Sequence, residues 1–122
     1  MESKSFPEIA TSASWDNLES MPKESILTKC SVKYSKEEFE HIKRGIVPEE
    51  MEEKWFIYFE GDKLYFHRSW TGALIFIAKF KNLEIISIET NNSEDVNQST
   101  IGDCIEFVSK IISGVILSKL RM

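Results

Sequence analysis

The sequence predicts a single α+β domain, a four-stranded antiparallel meander with a short N-terminal helix and a long C-terminal helix packed on the sheet. Three observations carry that prediction. Two aromatic-rich runs flank the dipeptide Gly61-Asp62, which suits a two-residue hairpin turn. A third run, Ala73 to Lys81, is apolar on both of its alternating faces and so asks for cover on both sides. The last stretch places Ile101, Cys104, Ile105, Val108, Ile111, Ile112, Val115 and Leu120 at helical spacing. A length of 122 residues fits one hydrophobic core and leaves no room for two, so residues 1–122 are read as one domain.

Taken in order, residues 1–25 are rich in Ser, Glu and Asn and broken by Pro7 and Pro22, and they read as an irregular arm anchored by Trp15. Ile26 to Tyr34 is enriched in β-branched residues and reads as a strand. Ser35 and Glu38 make a capping box that opens a helix over Lys36 to Arg44, with Gly45 as its stop. Pro48 with Glu49, Glu50, Glu52 and Glu53 reads as a solvated turn or a single helical turn.

The meander occupies residues 54–90. Its first hairpin has a definite register, in which Trp55 opposes Arg68, Ile57 opposes Phe66 and Phe59 opposes Leu64 on one face. Phe56 opposes His67 and Tyr58 opposes Tyr65 on the other. A reversal at Ser69-Trp70-Thr71-Gly72 leads into the third strand, where Leu74, Phe76, Ala78 and Phe80 alternate with Ala73, Ile75 and Ile77. Lys81-Asn82 turns into the fourth strand, Leu83 to Glu89. Asn91 to Gln98 reads as a polar loop, and Thr100 with Asp103 caps a helix over 99–121.

Charge and composition exclude several function classes. A net charge of −5 argues against a nucleic-acid or anionic-membrane binder, which needs clustered Lys and Arg. The acidity is uneven. Residues 1–54 hold 12 acids against 8 bases while residues 55–90 are balanced at 4 and 4, so an anion is accepted most easily by the middle of the chain. The N-terminus lacks the apolar core of a signal peptide, and no stretch approaches the roughly 18 apolar residues of a membrane span. With two widely separated cysteines, Cys30 and Cys104, a cytoplasmic protein with reduced thiols is the expectation. No spacing of His, Cys or carboxylates suggests a metal, and no phosphate loop or nucleophile elbow is present, so neither cofactor nor catalysis is called for.

What stands out chemically is Arg68-Ser69-Trp70-Thr71-Gly72. A guanidinium fork, two hydroxyls, a flat ring and a glycine that permits close backbone approach are the groups that hold a phosphorylated or carboxylated aromatic ligand. His67 and Trp55, the neighbours in register, and Asn91 at the start of the polar loop complete the candidate ligand-binding set. A purely structural reading fits the same residues: Arg68 stacks over Trp55, and the reversal is a tight turn with Trp70 in the core.

The run from Lys54-Trp55-Phe56 through Tyr65-Phe66-His67-Arg68-Ser69-Trp70-Thr71-Gly72 resembles the signature of a family of small, uncharacterised, mostly bacterial proteins. The resemblance covers about residues 54–120 and implies an Asn-containing acidic loop followed by an apolar helix. The loop here lacks the proline and tyrosine of those relatives. The family implies no activity, but a family marked by this reversal implies a shared site, since a bare turn tolerates many sequences. The expected function is non-catalytic binding or sequestering of a small anionic, nucleotide-like ligand by a homo-oligomer, most simply a homodimer. The competing class is a protein-interaction module, an antitoxin or immunity-type partner, that uses Arg68 and Trp70 as an interface hot spot. A third is a small hydrolase using His67.

Overall fold

The structure is a computed structural model that describes residues 10–15, 18–49, 53–93 and 103–117. Its elements in chain order are β1 (Ser25–Lys33), α1 (Lys36–Ile42), β2 (Trp55–Glu60), β3 (Lys63–Arg68), β4 (Leu74–Lys81), β5 (Glu84–Asn91) and α2 (Cys104–Ile111). The class is α+β, with an antiparallel sheet of five strands in the order β1-β5-β4-β3-β2. The expected meander is β2 to β5. The fifth strand is the Ile26–Tyr34 segment, which the four-strand expectation left outside the sheet. It pairs with β5, matching Ser25 with Asn91 and Thr28 with Ile88. Nothing local in β1 shows that it returns past three strands to the far edge, because that placement rests on long-range pairing.

The first hairpin has the expected register at every position, from Trp55 opposite Arg68 to Phe59 opposite Leu64. Alternation then sorts side chains onto two faces. On one face Ile57, Leu64, Phe66, Phe76, Phe80 and Ile88 pack against Ile42 of α1 and Val108 and Ile111 of α2. Each fully buried Leu, Ile or Phe there contributes about 1.5–3 kcal/mol. On the other face Phe56 and Tyr58 form a smaller cluster with Ala10, Trp15 and Leu18, so the N-terminal arm is its cover. Trp15 lies parallel to the Phe56 ring, 5.7 Å centre to centre.

Three local expectations need correction. The simple alternation of β4 fails at its start, because the β3–β4 register shifts between Phe66 and His67. Ile75 is left unpaired, and it joins the helix-side core beside Phe76 in place of facing the arm. Second, Asn91 is the last residue of β5 and is buried, not the first of a loop. Third, the C-terminal helix is not one long α-helix. Asp103 caps α2 by accepting from the N–H groups of Ile105 and Glu106, and after Ile111 the chain widens into a π-turn over Ile112–Ile116. Buried residues explain the widening. Ile111 with Ile116, and Ile112 with Leu117, are five apart and all face the core. Five residues would carry a side chain about 140° round an α-helix, and the wider turn brings both pairs to one side. Thr100 and most of the polar loop lie outside the described residues.

The short helix forms as its capping box predicts. Ser35 Oγ accepts from Glu38 N–H, and the Glu38 carboxylate accepts from Ser35 N–H, at 3.0 and 2.9 Å. Gly45 ends the helical segment at φ +66°. A bridge between Ile46 and Ile57 then ties the following segment to β2. Gly45 is boxed in, since a Cβ there would lie 2.1 Å from the Ile57 carbonyl oxygen.

Candidate functional site

The reversal joining β3 to β4 is closed by its own backbone. Gly72 N–H donates to Arg68 O at 2.8 Å, and Arg68 N–H donates to Ala73 O at 2.9 Å. Gly72 sits at φ +78°, a conformation that costs other residues about 1–2 kcal/mol. Thr71 Oγ1 accepts from Ala73 N–H at 3.2 Å, so this hydroxyl shapes the turn.

From that frame the site residues divide into an inner and an outer set. Ser69 belongs inside. Its N–H donates to Lys54 O, its hydroxyl donates to Glu53 O at 2.8 Å, and its carbonyl accepts from the Trp15 indole N–H at 2.9 Å. The Ser69 hydroxyl proton is therefore committed to the protein. Asn91 is also inside. Its amide donates to Leu74 O at 2.8 Å, and its Oδ1 accepts from Ser93 N–H, which fixes the chain just after the reversal.

His67 is the deepest of the set, at 2 % exposure. Its Nδ1 lies 2.9 Å from Gly72 O. A carbonyl can only accept, so Nδ1 carries the proton and Nε2 is the bare nitrogen of the neutral ring. Nε2 is buried, with no hydrogen-bond partner among the described residues. The imidazole stacks on Tyr58 at 5.8 Å and 13°. Burial pushes its pKa below the ordinary histidine value, against weaker upward pulls from the Gly72 hydrogen bond and the Glu19 carboxylate.

The outer set is Arg68, Trp70 and Thr71, all exposed. Strand alternation sends Arg68 to the helix side of the sheet, opposite to His67. There its guanidinium lies 5.3 Å from the centre of the Trp55 ring. Trp55 itself packs edge-on against Phe66 and Phe107, so it belongs to the core and serves as a platform for Arg68. Trp70 stands at the tip of the reversal with 73 % of its surface in solvent. Among the described residues no carboxylate forms an ion pair with Arg68.

Several partners of the reversal lie outside the expected set, the backbone carbonyls of Glu53 and Lys54 and two groups from the arm. Trp15 was recognised only as an anchor of the arm, and Glu19 donates its N–H to Gly72 O at 3.0 Å. The lone tryptophan in a polar arm was the available signal for Trp15. A backbone donor such as Glu19 leaves no trace in sequence. Among the described residues no three His, Cys, Asp or Glu side chains converge as a metal site, and no described helix is long and apolar enough to cross a membrane. Compared with family models, with curated proteins and with solved structures, the chain matches none.

Proposed function

We propose that this chain is a non-catalytic protein-interaction module whose hot spot is the tip formed by Arg68, Trp70 and Thr71. The carrying observation is the exposed Trp70 indole on a reversal whose neighbours Ser69 and Gly72 are hydrogen-bonded into the body. A protruding tryptophan beside an arginine is what a partner's pocket takes up, and such residues dominate interface energies. A small-molecule site is concave and encloses most of its ligand, for which a protruding ring is poorly suited.

Binding of a small anionic, nucleotide-like ligand is the second reading, favoured by the Arg68 fork, which no described carboxylate neutralises. Against it, the N–H groups of Arg68, Ser69, Gly72 and Ala73 all have acceptors inside the protein, which removes most of an anion cradle. Two free thiols, Cys30 and Cys104, support a reducing, cytoplasmic setting. A homodimer is part of the proposal, with β1 at the sheet edge carrying exposed Ile26 and Leu27 as the surface two copies would share.

Affinity capture on the immobilised chain, followed by titration of the purified partner, tests the reading. Trp70→Ala and Arg68→Ala should each weaken that partner by about 2 kcal/mol or more, some thirtyfold. A partner bound equally well by parent and both variants contradicts it. A nucleotide that stabilises the parent by about 2.7 kcal/mol at a hundred times its dissociation constant selects the second reading instead.

A further inference from the structure

We propose that the N-terminal arm is a pH-sensitive strap, which lies closed over the sheet while His67 is neutral and lets go when its imidazole takes up a proton. Closure is made by residues 10–15 and 18–20. Ala10 N–H donates to Arg44 O at 2.8 Å, the Trp15 indole N–H donates to Ser69 O at 2.9 Å, and Glu19 N–H donates to Gly72 O at 3.0 Å. The last of these ends on the same carbonyl that accepts from His67 Nδ1 at 2.9 Å. Strap and imidazole therefore share one acceptor. Trp15 completes the closure by stacking on Phe56, whose ring centre is 6.1 Å from that of His67.

The neutral ring suits this enclosure and the charged ring does not. With Nδ1–H donating to Gly72 O, the neutral tautomer leaves only a bare lone pair on Nε2. Protonation converts that atom into a buried N–H carrying positive charge, with no acceptor among the described residues. Each element packed against the ring brings different groups. The arm brings the Glu19 carboxylate, which favours the imidazolium; β2 brings Phe56 and the Tyr58 phenol; β3 brings Tyr65; β4 and the reversal bring Leu74, Ser69 and Gly72, which do not titrate near neutrality. Burial outweighs Glu19, and the ring holds its proton less well in the closed form than in water. Opening offers water to Nε2 and uncovers Phe56 and Tyr58, which are 0 % and 9 % exposed when the strap is shut.

The free ring titrates near pH 6.5, and the closed form binds the proton more weakly, so closure is complete above that value and weakens as the pH falls below it. One proton makes opening up to about tenfold more frequent per pH unit in that window. The experiment is amide hydrogen exchange on the full chain between about pH 7.5 and pH 5, with rates corrected for intrinsic pH dependence. Protection at Glu19 N–H should fall by about that factor per unit below pH 6.5, while core amides of β3 and β4 hold. His67→Asn keeps a donor for Gly72 O but cannot titrate, and His67→Phe removes both; either should abolish the pH dependence at Glu19. Ring NMR of the parent needs no substitution. His67 should show the Nδ1–H tautomer, with its titration accompanied by a shift of the Trp15 indole N–H. Unchanged protection across the pH range, equal loss in the variants, or a His67 titration that leaves Trp15 unmoved overturns the proposal.

Discussion

Ser69 and Trp70 are neighbours with opposite fates, one buried and the other exposed. Ser69 sends its N–H, hydroxyl and carbonyl into bonds with Lys54, Glu53 and Trp15. Ser69→Ala deletes one of these and leaves Glu53 O without that donor, at an expected cost of about 1 kcal/mol in urea unfolding. Arg68 behaves differently. Exposed over the Trp55 ring, it contributes little to folding, so Arg68→Ala should stay within about 0.5–1 kcal/mol of the parent. Arg68→Lys should match the parent in stability yet lose affinity for a partner that uses the planar fork, because an ammonium offers no two-pronged contact. Titration calorimetry beside denaturation separates the two effects.

At the scale of elements, the glycine that ends the helical segment is under more constraint than the one that turns the hairpin. Gly45 and Gly61 have nearly equal positive φ, +66° and +67°. A Cβ at Gly61 meets nothing within 4 Å, whereas at Gly45 it runs into the Ile57 backbone. Gly61→Ala should therefore cost about 1 kcal/mol of backbone strain. Gly45→Ala should cost at least about 3 kcal/mol, because the Ile46–Ile57 bridge must also shift; thermal unfolding of the pair reads the difference. The hairpin, the capping box and the Asp103 cap were legible because each is written within a few neighbouring residues. The bulge at Ile75 and the π-turn after Ile111 were not, since both answer to what lies across the core. The placement of β1 is of the same kind. Within the candidate site, the chain does reverse at residues 69–72, between β3 and β4, as the sequence predicts. Sequence could not separate His67 and Ser69, turned inward, from Arg68 and Trp70, turned outward, because that division depends on carbonyls of residues 53, 54 and 72.

For the molecule as a whole, both apolar faces of the sheet are largely covered within the chain. The arm covers Phe56 and Tyr58, and the two helices cover the opposite face. Exposed large apolar side chains among the described residues are Ile26, Leu27 and Trp70. Light scattering is expected to show a dimer that Leu27→Lys converts to monomer, and a parent monomeric at high micromolar concentration would remove the dimer from the proposal. The reversal is an internal scaffold that presents an outward tryptophan. Equilibrium urea denaturation of Trp70→Ala beside the parent tests this most directly. The expected midpoint corresponds to a change within about 1 kcal/mol, with the slope unaltered. A loss of about 3–5 kcal/mol, the cost of emptying an aromatic site in a core, would contradict it.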